Sequence, residues 1–89
     1  MKIGIIGYGF VGSALHKGIN SSNEVCLIDP KLNTSEDDLD NFDPDIIFIC
    51  VPTPMNEDGS QDLRILNQVI QNLLKKLTRD FRGWSLIKL

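Results

Sequence analysis

Gly7, Gly9 and Gly12 stand in G-x-G-x-x-G spacing directly behind a short apolar run, and no other feature of these 89 residues restricts the fold as tightly. Each glycine answers a different demand. Gly7 turns the chain sharply out of a strand, Gly9 lets the backbone approach a pyrophosphate, and Gly12 lets the following helix pack close on the strand. A phosphate then rests on the helix N-terminus, where unpaired N–H groups and the positive end of the helix dipole favour an anion. Glycine-rich turns occur in many loops, and Lys2 ahead of an apolar stretch also has the outline of a secretion signal. Context separates these readings. Lys2–Ile6 reads as a buried strand and Val11–Ile19 as a helix, while Asp29 closes the next apolar run about twenty residues past the turn, the context a dinucleotide-binding turn requires. Three glycines inside the apolar stretch, with no small-residue cleavage site before the charged segment, speak against secretion.

Four apolar runs read as strands: Lys2–Ile6, Glu24–Asp29, Asp45–Val51 and Trp84–Leu89. Three are nearly continuous in Ile, Val, Leu, Phe or Cys, as strands covered on both faces are. The first helix is expected to end near Gly18–Ser22, where Gly, Asn and Ser act as stop signals. Ser35 and Asp38 make a capping-box-like start for a short acidic helix over Ser35–Asn41. Asp62 reads as the N-cap of the longest helix, with Leu63, Leu66, Val69, Ile70, Leu73, Leu74 and Leu77 on one face. Lys75, Lys76 and Arg79 fall in its last turns, where cations suit the dipole, and Asp58-Gly59 marks a turn. Strands alternating with helices imply right-handed crossovers and a parallel sheet, hence an α/β fold. The Lys31–Pro44 connection is too short for a further strand and a further crossover helix. The expectation is therefore one small Rossmann-like domain over residues 1–89, a sheet of about four strands in order 2-1-3-4 with Glu24–Asp29 on one edge. A complete doubly wound domain has six.

The balance of 42% hydrophobic and 24% charged residues is that of a soluble globular chain. A net charge of −3 leaves no basic footprint for nucleic acid or an anionic membrane. Cys26 and Cys50 both lie in apolar runs, so buried thiols in a reducing cytoplasm are expected. Asp29 ends its strand beside the glycine turn, where the adenosine ribose of a dinucleotide presents its hydroxyls. A 2′-phosphate there would oppose its charge by up to about 4 kcal/mol per unit charge, which favours NAD over NADP, with Lys31 close enough to soften the penalty. Cys50-Val-Pro-Thr-Pro54 leaves the third strand at the carboxyl end of the sheet, the side on which open α/β sheets bind ligands. The hydroxyl of Thr53 suits the pyrophosphate or the nicotinamide end, and a merely rigid strand exit explains the two prolines equally well. His16 has no Ser, Cys or carboxylate partner at a suitable spacing and reads as a surface or groove residue. Glu36, Asp37, Asp38, Asp40, Asp43 and Asp45 lack metal-ligand spacing and read as a solvated face. No nucleophile and base can be paired from these residues.

The opening K-I-G-I-I-G-Y-G-F-V-G, followed by I-F-I-C-V-P-T-P and N-E-D-G-S-Q-D-L, closely resembles the N-terminal domain of the UDP-glucose/GDP-mannose dehydrogenase family. The second stretch is the more specific. The resemblance implies an NAD-dependent oxidoreductase that takes the C6 alcohol of a nucleotide sugar to the acid in two hydride transfers. It implies that Gly7, Tyr8, Gly9, Phe10, Val11 and Gly12 form the pyrophosphate turn, that Asp29 and Lys31 hold the adenosine ribose, and that Val51, Pro52 and Thr53 line the nicotinamide side. It also implies that Cys50 belongs to the strand motif and is not the family's nucleophile. Two departures stand out: the second-to-third strand connection is pared down, and the chain stops at Ile87-Lys88-Leu89 where the family continues as I-K-S-T-V. By resemblance the chain is a truncated cofactor-binding part that lacks the catalytic cysteine and its partners and is inactive alone. An alternative of a different class is a binding or interaction module that pairs with a separate polypeptide carrying the catalytic half, or with itself, through the strand at Trp84–Leu89. A third is the non-functional product of a broken gene.

Overall fold

The computed structural model describes residues 1–19 and 22–89. They form four strands, β1 (Lys2–Ile6), β2 (Glu24–Ile28), β3 (Ile46–Ile49) and β4 (Ser85–Lys88), and three α-helices, α1 (Phe10–Gly18), α2 (Asp38–Phe42) and α3 (Arg64–Asp80). The sheet is parallel throughout in the order β2-β1-β3-β4, as the connection lengths require. Its register sets Ile5 opposite Leu27 and Phe48, and Ile47 opposite Leu86.

Strand alternation divides the side chains between two faces. Ile6, Ile28, Ile47 and Ile49 turn to the face covered by α2 and α3, where they form the main core with Leu39, Leu66, Val69, Leu73 and Trp84. Leu39 seats α2 over the middle of the sheet, in space that only Gly4 leaves free: a Cβ there would lie 3.2 Å from the Leu39 side chain. Ile3 and Ile5 look to the opposite face, which α1 covers. That face is thinner, with Leu27, Ile46 and Phe48 half-buried and Ile87 exposed.

Several expectations are corrected in detail. The ladders omit the end residues Asp29, Asp45, Cys50, Val51, Trp84 and Leu89, and α1 lies one residue earlier than predicted. Its stop signals Asn20 and Ser21 lie outside the described residues. The carboxylate half of the capping box forms, since Asp38 accepts the Ser35 N–H at 2.9 Å, but residues 36 and 37 make a turn and α2 begins only at Asp38. Asp62 accepts the Arg64 N–H at 3.1 Å from one residue before the formal cap, Leu63. Of the residues expected on the apolar face, the cap Leu63 and Leu74 of α3 are exposed, whereas Lys76 is buried and reaches Asp37 and Asp40 at 2.8 and 2.9 Å.

The acidic segment is therefore a set of tethers and not simply a solvated face. Asp43 takes the Trp84 indole N–H at 2.7 Å and an Arg82 N–H at 3.1 Å, and Asp45 accepts the Lys2 N–H at 2.7 Å. Among the described residues no group of three or more His, Cys, Asp or Glu could hold a metal ion. No described helix is long and apolar enough to cross a membrane. Cys26 and Cys50 are half-buried free thiols.

Candidate functional site

The site begins where β1 stops. Gly7 turns the chain with φ of +94°, and a Cβ on it would lie 2.8 Å from the carbonyl of Cys50, so both the backbone angle and the space exclude a side chain. Gly12 brings α1 down onto the same turn, for a Cβ there would sit 2.0 Å from the Gly7 carbonyl oxygen. Gly9 is the opposite case, with nothing within 4 Å of where a Cβ would be. The first bond of α1 runs from the Ser13 N–H to the Gly9 carbonyl at 3.0 Å. The N–H groups of Phe10, Val11 and Gly12 thus have no acceptor within the helix. An open backbone approach beside these N–H groups and the positive helix end is an anion cradle.

Asp29 closes one side of the cradle. It is 8% exposed, and its carboxylate accepts from the backbone N–H of Tyr8 at 2.6 Å through one oxygen and from that of Lys31 at 2.9 Å through the other. The Lys31 N–H foremost, and then that of Tyr8, hold the carboxyl below its usual range against the opposing cost of burial. Each oxygen keeps a second lone-pair direction, so the ionised group can still accept hydroxyl hydrogens. The Gly7 N–H also bonds the Ile28 carbonyl at 2.7 Å, which ties the turn to the end of β2.

Between β1 and β3 the chain leaves the sheet in opposite directions, the switch point at which open α/β sheets bind ligands. A cleft of about 900 Å³ lies there. Nine of the eleven residues expected to bind cofactor line it: Gly7, Gly9, Phe10, Val11, Asp29, Lys31, Val51, Pro52 and Thr53. Tyr8 and Gly12 stand behind it. The Tyr8 N–H is taken by Asp29 and its hydroxyl lies 3.0 Å from His16 Nδ1, while Gly12 is spent on packing. Cys50 also lines the cleft, and burial pushes its thiol up, away from nucleophilic reactivity.

Two groups of lining residues escape a reading from sequence. Thr34, Ser35 and Glu36 follow the short 3₁₀ turn Pro30–Leu32 and wall the cleft beside Asp29. Ile65, Gln68 and Asn72 come from α3, next to its buried Leu66, Val69 and Leu73. For α3 a signal existed: Gln68 and Asn72, four apart, flank the core stripe at helical spacing. For the loop there was none, because its folding depends on tertiary hydrogen bonds.

An anion cradle on a glycine turn, with a carboxylate at the end of the neighbouring parallel strand, defines a dinucleotide-binding domain. A family model described as the UDP-glucose/GDP-mannose dehydrogenase family, NAD binding domain, matches residues 29–83, more than half of the chain. The chain belongs to that family, as its NAD-binding domain. The match begins at Asp29 and does not take in the glycine turn. The chain is also similar to an erythronate-4-phosphate dehydrogenase from Teredinibacter turnerae, 33% identical over 63 residues that take in 66% of this chain and 17% of that protein. No solved structure matches the chain.

Proposed function

We propose that the cleft holds NAD with its pyrophosphate on the first turn of α1, its adenosine ribose at Asp29 and its nicotinamide end toward Val51, Pro52 and Thr53. The observation that carries this reading is the turn itself, where the open side of Gly9 faces unpaired helix N–H groups within reach of an ionised, half-satisfied Asp29. When bound, NAD supplies a hydride acceptor, and the protein's residues bind and orient it. The N–H groups of Phe10 and Val11 meet the phosphates and Asp29 accepts from the ribose hydroxyls, with the Lys31 cation beside it. Asp29 also disfavours a 2′-phosphate, which makes NAD the preferred dinucleotide.

Family membership supports a role as the cofactor-holding part of a dehydrogenase acting on a CH–OH group of a nucleotide sugar of the UDP-glucose type. The 89 residues alone are inactive in this reading, which is supported by a Cys50 thiol that burial pushes up and by a His16 ring that stands against Tyr8 and outside the cleft lining. A cytoplasmic setting agrees with two free thiols. Calorimetric titration of the chain with NAD and NADP tests the cofactor, with saturable NAD binding in preference to NADP expected. No NAD binding at millimolar concentration ends the reading. NADH formation by the pure chain with UDP-glucose ends the claim of inactivity. A second reading, as a module that pairs with a separate catalytic polypeptide, is favoured by the free outer edge of β4.

A further inference from the structure

The loop that delivers Asp29 to the cleft hangs on one hydroxyl. β2 is an edge strand, and Ile28 turns its carbonyl inward to β1, where it accepts the Gly7 N–H at 2.7 Å. Successive residues of a strand point their backbone groups to opposite sides, so the Leu27 carbonyl and the Asp29 N–H face the open outer edge. Thr34 takes both. Its Oγ1 accepts from the Asp29 N–H at 2.9 Å and donates to the Leu27 carbonyl at 2.8 Å, with the Asp29 carbonyl a second acceptor at 3.3 Å. One side chain thus satisfies the two edge groups that a neighbouring strand would otherwise pair.

The segment in between is closed on the same point. Leu32 and Thr34 N–H groups bond the Asp29 carbonyl at 2.9 and 3.4 Å, the Asn33 N–H bonds that of Pro30 at 3.1 Å, and Asn33 takes a left-handed φ of 56° to bring Thr34 back. Asp29 Oδ1 accepts the N–H of Lys31 from within this ring. One carboxylate oxygen is therefore oriented from the ring and the other by the Tyr8 N–H at 2.6 Å, and the ring is pinned to the sheet through the Thr34 hydroxyl. Thr34 is half-buried and lines the cleft next to Asp29.

We infer that Thr34 is the positioning residue for Asp29, and that its hydroxyl sets how strongly the site prefers NAD to NADP. The inference rests on the proposed placement of the adenosine ribose at Asp29. Its physical content is that a carboxylate held in one orientation discriminates against a 2′-phosphate, whereas one that swings away on a loosened loop accepts fewer ribose hydroxyls and repels a phosphate less. Loss of the hydroxyl with the side-chain shape kept should weaken NAD and relieve NADP together, so that the ratio of their affinities moves more than either affinity.

The test is calorimetric titration of the 89-residue chain and its Thr34→Val and Thr34→Ser variants with NAD and with NADP. Thr34→Val is expected to reduce the NAD/NADP affinity ratio about fivefold, the scale of one or two lost hydrogen bonds. Thr34→Ser, which keeps the hydroxyl, should restore most of it. A Thr34→Val chain that weakens both dinucleotides equally, with the ratio unchanged, assigns the hydroxyl a structural role only and overturns the inference, while Asp29→Ala can still reveal the ribose contact in that event. Failure of the wild-type chain to bind NAD overturns the inference together with the proposed function. Amide exchange on the wild-type chain gives a readout independent of whether any variant folds. The Asp29 N–H should exchange slowly although it faces a sheet edge, and exchange as fast as that of open loop amides overturns the clamp.

Discussion

The three glycines of the turn differ in what a side chain would meet, and their replacements should separate stability from binding. Gly12→Ala drives a methyl against the Gly7 carbonyl oxygen, which belongs to the backbone and cannot rotate away. A loss of about 3 kcal/mol, the upper end for overpacking, is expected by denaturant or thermal unfolding. A Cβ on Gly9 meets no atom within 4 Å, so Gly9→Val should cost far less stability than Gly12→Ala, yet its side chain fills the approach to the phosphates and should abolish NAD binding. Normal NAD affinity in a folded Gly9→Val chain would move the phosphate site elsewhere. Asp29→Ala should weaken NAD by about 1.5–3 kcal/mol, the range for hydrogen bonds to a charged group, and raise NADP relative to NAD. Unchanged affinities and an unchanged ratio would remove Asp29 from the site. Because the N–H groups of Lys31 and Tyr8 lower the carboxyl pKa of Asp29, it gives up its charge at a lower pH than a free carboxylate does. The acid-side decline of NAD affinity should therefore lie below the pH at which a free aspartate protonates, and a decline at or above that pH would remove the ionised Asp29 from binding.

At the scale of elements, α2 is only five residues long and owes its place to Leu39 and to Lys76 of α3, which grips Asp37 and Asp40. The Lys76 stem is buried while Asp37 is largely exposed, so the Asp40 contact carries more of the energy than Asp37 does. Lys76→Ala, which removes both the stem and the charge, should cost about 2–3 kcal/mol; Lys76→Met, which keeps the stem, should cost less. Equal costs for the two variants would mean that the charge, and not the packing, holds α2. The signs of the shifts set the pH window. The raised pKa of Lys76 contributes stability below its unfolded value of about 10.4 that is lost as pH rises through the folded one. The lowered pKa of Asp37 contributes stability above its unfolded value of about 3.9 that is lost as pH falls through the folded one. The contact should thus persist between these limits, with α2 amides exchanging faster outside them. These tethers also mark where the sequence stops being legible. Strand identity and order follow from apolar runs and connection length, and the phosphate turn from glycine spacing, because both are local. That Lys76 answers Asp37 and Asp40, thirty-nine and thirty-six residues away, or that Thr34 rather than a strand closes the β2 edge, is decided by tertiary approach and leaves no periodic trace. The same holds for Asp62, whose capping chemistry was readable although its offset from the helix start was not.

The molecule as a whole is a slab, 42 × 32 × 22 Å, with a radius of gyration of 13.3 Å against about 12 Å for a compact domain of this length. Its two sheet faces account for this. One is packed by α2 and α3, while the other has only the nine residues of α1, which leaves Ile46 and Phe48 half-buried and Ile87 on the edge strand 39% exposed. A chain of this size buries only about 60% of its unfolded surface, so an uncovered half-face is a large fraction of what holds the fold together. The outer side of β4 adds an unpaired row of backbone groups beside that apolar surface, which is a template for pairing with another strand. The pure chain is accordingly expected to be marginally stable and to self-associate as its concentration rises, read as a growing mass in light scattering coupled to size exclusion. Ile87→Lys should suppress the association, because a charge on an edge strand opposes strand addition, while changing the unfolding free energy by no more than about 0.5 kcal/mol at so exposed a position. A wild-type chain that remains a stable monomer at every concentration would show that α1 covers its face well enough alone. An Ile87→Lys chain that associates as before would place the contact away from β4.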